Sequence, residues 1–170
     1  MQEEIVNRVA NSALVTIDLE DWYPKGKRVS FDISPWLFEG IILKEKEFRQ
    51  QVKDHNWAQY QDTFVYVYCT TDAILPGWAF MLVTSALIPF AAKVTCGTQK
   101  DLETALFQDL ITTLDVEVYR NKPVIIKGCS NKPIPQSAYL ELLQKLQPVA
   151  KSIQYGEACS SVPIYKKPRK

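Results

Sequence analysis

The segment "VIIKGCSNKPIPQSAYLELL", residues 124–143, leads from a predicted buried strand into a predicted helix. Its opening run is apolar and rich in β-branched side chains, which is typical of a strand inside a packed sheet. Gly128 and Cys129 end this run, and a polar loop follows. Pro135 suits the first turn of the next helix. The segment therefore predicts a strand, a loop and a helix, with a cysteine at the carboxyl end of the strand.

The same alternation recurs through most of the chain. Predicted strands lie in "TFVYVYC", "AKVTCG", "PVIIKGC" and "KSIQYG", and predicted helices at 74–91, 99–114 and 135–149. Strands that alternate with helices at this spacing predict βαβ units with right-handed crossovers. The fold class expected is therefore α/β, with a mainly parallel sheet covered by helices.

The N-terminal part adds a helix and two further strands. Residues 2–11 have the apolar spacing of a short amphipathic helix, and apolar and polar residues alternate in "LVTIDLED" and in "RVSFDI". Pro24 and Gly26, in the intervening "YPKGK", are typical turn residues. We therefore expect an N-terminal helix and a β-hairpin. A charged surface helix is expected in "KEKEFRQQVKDHNW", with Phe48 and Val52 facing inward.

Length and composition indicate one globular domain, residues 1–170, with a short basic tail at 166–170. The chain is 46% hydrophobic and 23% charged, and its formal net charge is +1. These values exclude disordered and fibrous classes and give no overall field for nucleic acid or a membrane surface. The longest apolar stretch is broken by Pro76, Gly77 and Pro89, and no secretory signal is present, so we expect a cytoplasmic protein with no membrane partner.

The four cysteines have similar places in the predicted pattern. Each follows or ends a predicted strand: Cys69, Cys96, Cys129 and Cys159. The carboxyl ends of parallel strands meet at one edge of a sheet, where ligands commonly bind. In a common doubly wound order the strands before Cys69 and Cys129 are neighbours, so those thiols would meet, with Cys159 folding over the edge and Cys96 next in reach. Such a set predicts a site for zinc or an iron–sulfur cluster.

Two other interpretations of the cysteines remain open. Cys129 follows a glycine and precedes a helix, a position that lowers a thiol pKa and suits sulfur transfer, with Cys159 as a resolving thiol. Lys127 and Lys132 flank Cys129 and would stabilise its thiolate. In the third interpretation the protein is a non-catalytic interaction domain, and its cysteines serve only packing.

Three further residue types carry weaker signals. His55, the single histidine, ends a predicted helix and is expected as a surface cation near the helix C-terminus. Asp72 is expected to cap the following helix, with a role as a ligand or base beside Cys69 as the alternative. No glycine-rich phosphate loop, paired-histidine metal helix or nucleophile elbow is present.

Four segments carry a family resemblance that extends over nearly the whole chain. They are "NRVANSALVTIDLEDWYP", "FDISPWLFEGIILKEKEFR", "VIIKGCSNKPIP" and "YGEACSSVPIYKK". Together they resemble a bacterial family found in Bacteroidetes and described as domain of unknown function 2480. The resemblance implies no activity, cofactor or catalytic residue. It does imply a genomic neighbourhood of sulfur-mobilisation and iron–sulfur assembly proteins, which are the partners we expect.

Overall fold

The structure is a computed structural model that describes residues 14–128, 131–157 and 159–168. Four α-helices and seven strands lie in this part of the chain. The helices are α1 (Glu45–Asp54), α2 (Gly77–Leu87), α3 (Gln99–Thr113) and α4 (Gln136–Leu146). The strands are β1 (Val15–Ile17), β2 (Arg28–Asp32), β3 (Phe64–Tyr68), β4 (Lys93–Cys96), β5 (Pro123–Ile126), β6 (Ser152–Glu157) and β7 (Ser160–Lys166).

The chain divides into two compact units. The central unit is Pro24–Leu106, and the terminal unit is formed from Met1–Tyr23 and Phe107–Lys170. Each unit contains one sheet. This division does not test whether residues 1–170 form one domain, and the single domain stays a prediction.

The sheet of the central unit has the strand order β2-β3-β4, and all its pairs are parallel. The helices α1 and α2 are the crossovers between successive strands. They share one apolar core with the sheet, in which Phe48, Val52 and Val83 are buried. The inward placement of Phe48 and Val52 confirms the prediction made for the charged helix.

The sheet of the terminal unit has the order β1-β5-β6-β7. The pairs β1-β5 and β5-β6 are parallel, whereas β7 runs antiparallel to β6. Its core joins Ile17, Val124 and Ile153 on the strands to Ile111 on α3 and Leu142 on α4. The two predicted helices at 99–114 and 135–149 therefore exist as α3 and α4, and each contributes to this core.

The α/β class with mainly parallel, helix-covered strands is confirmed, but the N-terminal hairpin is wrong. The two predicted strands exist as β1 and β2, yet β1 pairs with β5 and β2 pairs with β3. The strand β2 finds its parallel neighbour after the crossover helix α1, whereas β1 finds its neighbour only after the whole central unit. An isolated two-stranded hairpin is only marginally stable, so pairing within larger sheets is favoured. The predicted helix at 2–11 lies outside the described residues.

The C-terminal end differs from expectation. The strand β7 was not predicted, and the first residue of the expected basic tail, Lys166, pairs with Ser152. The backbone amide of Lys167 then donates to the carbonyl of Lys151 at 3.0 Å. The tail is thus anchored at its start. Among the described residues, no helix has the length and apolar character required to cross a membrane.

Candidate functional site

The cysteines fall in both units. Cys96 is the last residue of β4, and Cys69 directly follows β3, so both belong to the central unit. Cys159 lies in the turn between β6 and β7 of the terminal unit and is exposed. Cys129 lies outside the described residues. The three described cysteines are all free thiols.

The strand order contradicts the expectation that the strands before Cys69 and Cys129 are neighbours. The strand before Cys69 is β3, whose neighbours are β2 and β4; the strand before Cys129 is β5, whose neighbours are β1 and β6. The two strands belong to different sheets. Sequence periodicity shows that a segment is a strand, but strand order depends on contacts between distant segments. A single edge shared by four strands was therefore a wrong assumption.

Cys69 and Cys96 do open into one cavity. Both line a depression of about 560 Å³ at the carboxyl ends of β3 and β4. Val67 is the register partner of Cys96, and Cys69 is two residues beyond Val67, so both cysteines lie on the same face of the sheet. Strand spacing and rise put their Cα atoms about 8 Å apart. A disulfide requires less than about 7 Å, so this spacing agrees with the free state of both thiols.

The Cys69 thiol is held by a short hydrogen-bond chain. Its Sγ atom lies 3.3 Å from Oγ1 of Thr71, and that hydroxyl donates to the carbonyl of Gly40 at 2.6 Å. Because the single hydroxyl proton of Thr71 is given to Gly40, the Cys69 S–H is the donor in the sulfur contact. This contact fixes the thiol at the wall of the cavity.

Asp32, at the end of β2, holds the loop that carries Cys69. Its carboxylate accepts hydrogen bonds from the amide and hydroxyl of Ser34 and from the amide and hydroxyl of Thr70, at 2.8–3.2 Å. Burial alone would raise the pKa of Asp32, but these hydrogen bonds outweigh it and leave the pKa below its usual value. Sequence reasoning missed this residue, although "DISP" after a strand is a typical carboxylate-anchored turn.

The N-terminus of α3, the helix that follows Cys96, is capped by hydrogen bonds to one of its own side chains. Asp101 accepts hydrogen bonds from the amide and hydroxyl of Thr98, both at 2.7 Å. Those hydrogen bonds lower the pKa of Asp101. Gly97 has φ of +117°, and a Cβ there would lie 2.5 Å from the Asp101 carboxylate. The tight turn after Cys96 therefore requires glycine. The cap also occupies the amide and hydroxyl of Thr98, which are hydrogen-bond donors that an anionic ligand would need.

Asp72 is placed differently from the expected cap. The N-cap residue of α2 is Pro76, with no side-chain cap hydrogen bond, and the cap prediction is wrong. Asp72 lines the same cavity as Cys69 and Cys96. Proline fixes the extended backbone that begins α2, so the helix starts without a carboxylate cap. The alternative considered for Asp72, a ligand or base beside Cys69, stays a prediction.

A second polar cluster lies at the strand ends of the terminal unit. Lys127 donates to the carboxylate of Asp18 at 2.7 Å. The pKa of Lys127 is raised, first by this hydrogen bond and then by the charges of Asp18, Glu157 and Glu20. Burial raises the pKa of Asp18, but the Lys127 hydrogen bond and the amide of Glu20 lower it to below its usual value. The field around Lys127 is thus acidic rather than basic.

This arrangement changes the expected support for a thiolate at Cys129. Lys127 is engaged by Asp18, and the ammonium of Lys132 lies 5.5 Å from the ring centre of Tyr23. Both lysines interact with groups other than a thiolate. The roles proposed for Cys129 stay predictions. Within the described residues, no group of three or more histidine, cysteine, aspartate or glutamate side chains is arranged to hold a metal ion.

His55 is not the surface cation that its sequence position suggested. It is the C-cap residue of α1, but its ring packs among Phe31, Trp36 and Trp57. Its Nε2 atom lies 3.1 Å from the hydroxyl of Tyr60. Burial lowers the pKa of His55, so the neutral imidazole is favoured. The aromatic residues around it form part of the core of the central unit.

Fold and site together define a mainly parallel α/β protein with two sheets and a thiol-bearing cavity at the strand ends of one of them. Residues 3–167 match the family described as "Protein of unknown function (DUF2480)". The chain belongs to that family, as the resemblance of its four segments implied. No curated protein and no solved structure matches the chain.

Proposed function

We propose that this protein is an accessory protein of sulfur or iron–sulfur metabolism that binds zinc or an iron–sulfur cluster as cargo through cysteine thiolates. One observation supports this function: Cys69 and Cys96 lie at the ends of adjacent parallel strands and line the same cavity. Soft sulfur donors select these metals. The setting we propose is the cytoplasm of a Bacteroidetes bacterium, where thiols stay reduced, and the partners are iron–sulfur assembly or sulfur-mobilisation proteins.

The cavity suits a transient cargo better than a resident ion. Structural zinc is held by four protein ligands, and [2Fe–2S] and [4Fe–4S] clusters by four cysteines. The cavity has two thiols, and the described residues place no third histidine, cysteine, aspartate or glutamate side chain with them in an arrangement that holds a metal ion. In this proposal a partner protein would supply the further ligands, because two thiols alone do not complete a four-ligand site. Cargo can then move between proteins by exchange of ligands.

The sharpest test combines anaerobic purification with a cobalt titration. Metal content and acid-labile sulfide are measured first, and Co²⁺ is then added as an absorbing substitute for Zn²⁺, with thiolate-to-cobalt charge transfer as the signal. We expect Cys69→Ser and Cys96→Ser each to abolish that signal. Cys159→Ser is the matched control, because Cys159 is an exposed thiol of the other unit. A wild-type signal in Cys69→Ser or Cys96→Ser would refute the cavity as the site.

A sulfur-transfer role for Cys129 is the second candidate, and one observation favours it. Ile126 pairs with Tyr155, and the hydroxyl of Tyr155 lies 3.3 Å from the carbonyl of Gly128. The residue before Cys129 is therefore adjacent to the strand that leads to Cys159. In this mechanism Cys129 accepts sulfane sulfur from a persulfide donor. The Cys159 thiolate then attacks the Cys129 sulfur, which forms a disulfide and releases hydrosulfide.

This second role makes a different set of predictions for the variants. Persulfide formation, measured by mass spectrometry after incubation with a small-molecule persulfide, should disappear in Cys129→Ser. In Cys159→Ser it should accumulate, because the resolving thiol is missing. Cys69→Ser and Cys96→Ser should leave both results unchanged. Persulfide that forms equally in Cys129→Ser would exclude the role.

A further inference from the structure

A second cavity lies in the terminal unit, where α4, β6 and β7 meet. Its volume is about 270 Å³, and Leu143 of α4, Ile153 of β6 and Ile164 of β7 are among the residues that line it. The order of the elements explains why a cavity is left there. The helix α4 is the crossover from β5 to β6, whereas β7 follows β6 after a short turn and brings no helix with it. We call this depression the α4–β7 cavity.

A β-bulge in β7 directs an additional side chain to this cavity. Ile153 pairs with Tyr165 and Gln154 pairs with Pro163, so among the described pairs of this ladder Ile164 has no register partner. Consecutive residues of a regular strand point to opposite faces, yet Ile164 lines the cavity and Tyr165 packs against the core that Ile153 shares. Bulges often re-aim a side chain in this way beside a functional site. The bulge therefore shapes one wall of the cavity.

Two tyrosines form the aromatic part of the lining. The rings of Tyr139 and Tyr155 meet edge to face, with their centroids 5.8 Å apart. The Tyr155 ring also lies directly against Gly128, where a Cβ would be 2.8 Å from it. The hydroxyl of Tyr155 donates to the carbonyl of Gly128 at 3.3 Å, so its oxygen can still accept a hydrogen bond from a ligand. Contacts with Tyr139 and Gly128 therefore hold this ring as a preformed wall.

The lining determines which chemistry a ligand needs. Among the described residues that line the cavity none is charged, and the amide of Gln136 stands among side chains that are otherwise apolar or aromatic. A charged molecule would lose its hydration there without a compensating charge, so an uncharged ligand is favoured. Aromatic ligands gain from contact with tyrosine rings beyond the area they bury. Since a cavity of about 150 Å³ holds benzene, 270 Å³ suffices for one substituted ring or two fused rings.

We propose that the α4–β7 cavity binds an uncharged small molecule with one or two fused aromatic rings and a hydrogen-bond donor at one edge. The ring lies against Tyr139 and Tyr155, and the donor points to the hydroxyl oxygen of Tyr155. Gln136 is at the same end of the cavity, because the first residue of a crossover helix lies at the carboxyl ends of the parallel strands. Leu143, two turns further along α4, and Ile153 enclose the apolar end. The proposal is independent of the thiol chemistry, since the described lining includes no cysteine.

Indole is the probe for this site, and benzofuran, which has the same shape without the N–H donor, is its matched control. Each is titrated into the isotope-labelled full chain, and amide chemical shifts are followed by NMR. We expect saturable shifts in α4, β6 and β7, with a dissociation constant for indole of about 1 mM or below, as ordinary ligand efficiency gives for about nine heavy atoms. Benzofuran should bind about threefold to tenfold more weakly, because it cannot donate to Tyr155. Tyr155→Phe should remove that difference.

Two substitutions fill the cavity from opposite sides. Ile164→Trp and Leu143→Trp should each weaken indole binding at least about tenfold, because the new ring occupies the space of the ligand. Val118→Trp is the matched control, since Val118 is an exposed apolar residue of the same unit outside the cavity lining, and it should bind indole like the wild type. Circular dichroism and thermal unfolding confirm that the variants are folded.

Four results would overturn the proposal. They are the absence of saturable shifts with indole, shifts that map outside α4, β6 and β7, equal affinities of the wild type for indole and benzofuran, and wild-type affinity in a folded Ile164→Trp or Leu143→Trp variant. N-acetyltryptophanamide separates a free molecule from a protein side chain. It should bind more weakly than indole, because its peptide groups would lie against the apolar rim. Tighter binding would assign the cavity to an aromatic side chain of a partner protein and refute a small-molecule site.

Discussion

The ion pair between Arg28 and Glu103 gives the most demanding stability prediction. Arg28 Nε donates to Glu103 Oε1 at 2.8 Å, and Arg28 Nη2 donates to Oε2 at 3.0 Å. The two side chains are only 12% and 3% exposed. Arg28 also donates to the carbonyls of Pro24 and Gly26, both at 2.7 Å. The pair therefore connects the start of β2 to α3 within the central unit.

Glu103→Gln removes the negative charge and keeps the shape. Loss of one partner from a buried pair costs about 3–5 kcal/mol, because the other charge loses its compensation. Two carbonyls still accept hydrogen bonds from Arg28, so we expect a loss near the lower end, about 3 kcal/mol in the free energy of unfolding. Urea unfolding near neutral pH, followed by circular dichroism, measures it as a lower midpoint with little change in slope.

Glu117→Gln is the matched control for burial. Glu117 also accepts two hydrogen bonds from one arginine, Arg120, both at 2.6 Å, but its side chain is 60% exposed. Solvent screens such a pair, and we expect no measurable change in the urea midpoint. Equal losses in Glu103→Gln and Glu117→Gln would refute the argument that burial decides the energy of the pair.

Three further changes test other parts of the fold by urea unfolding. Lys145→Met should lower the free energy of unfolding by about 1–2 kcal/mol, because the Lys145 ammonium donates to three carbonyls at the end of α3, at 2.7–3.0 Å. Lys151→Met, at an exposed position, is its control. Gly26→Ala should lower the free energy of unfolding by about 2 kcal/mol, because Gly26 has φ of +153° and a Cβ there would lie 2.6 Å from the ring of Phe64. An unchanged urea midpoint would contradict this argument from strain. Because the pKa of His55 is lowered in the folded chain, the unfolded chain binds a proton more readily than the folded one. The free energy of unfolding therefore decreases as pH falls below the ordinary His pKa of 6.5. His55→Phe should flatten that part of the profile of unfolding free energy against pH.

The sequence predicted the local elements of this protein well because their signals are local. Period-two alternation identified β1 and β2, short β-branched runs identified β3 to β6, and helical spacing identified the helices. Turn residues were less informative. Pro24 and Gly26 do lie in a loop, but a turn signal does not specify which strand becomes the neighbour. The strand β7 was missed because Pro163 and the serines beside it weaken the pattern of an edge strand.

The candidate site was predicted only in part. Cys69 and Cys96 were correctly placed at strand ends, and adjacency of β3 and β4 brings them to one cavity. The contact of Asp32 with Thr70 and that of Thr71 with Gly40 were not foreseen, because each joins residues more than thirty positions apart, although the local turn of Asp32 with Ser34 had a sequence signal. His55 was misjudged for a similar reason, since its aromatic surroundings come from several elements that fold together.

By itself, the amino-acid sequence determined the class of this protein, the approximate bounds of β1 to β6 and of the four helices, and the position of each described cysteine at the end of a strand. The tertiary structure alone decided that the strands form two sheets, that β1 pairs with β5 after a long excursion through the central unit, and that Cys69 shares a cavity with Cys96. The physical reason is the range of the forces involved. Backbone hydrogen bonding and side-chain periodicity act between near neighbours, whereas strand order is set by which distant apolar faces bury each other best.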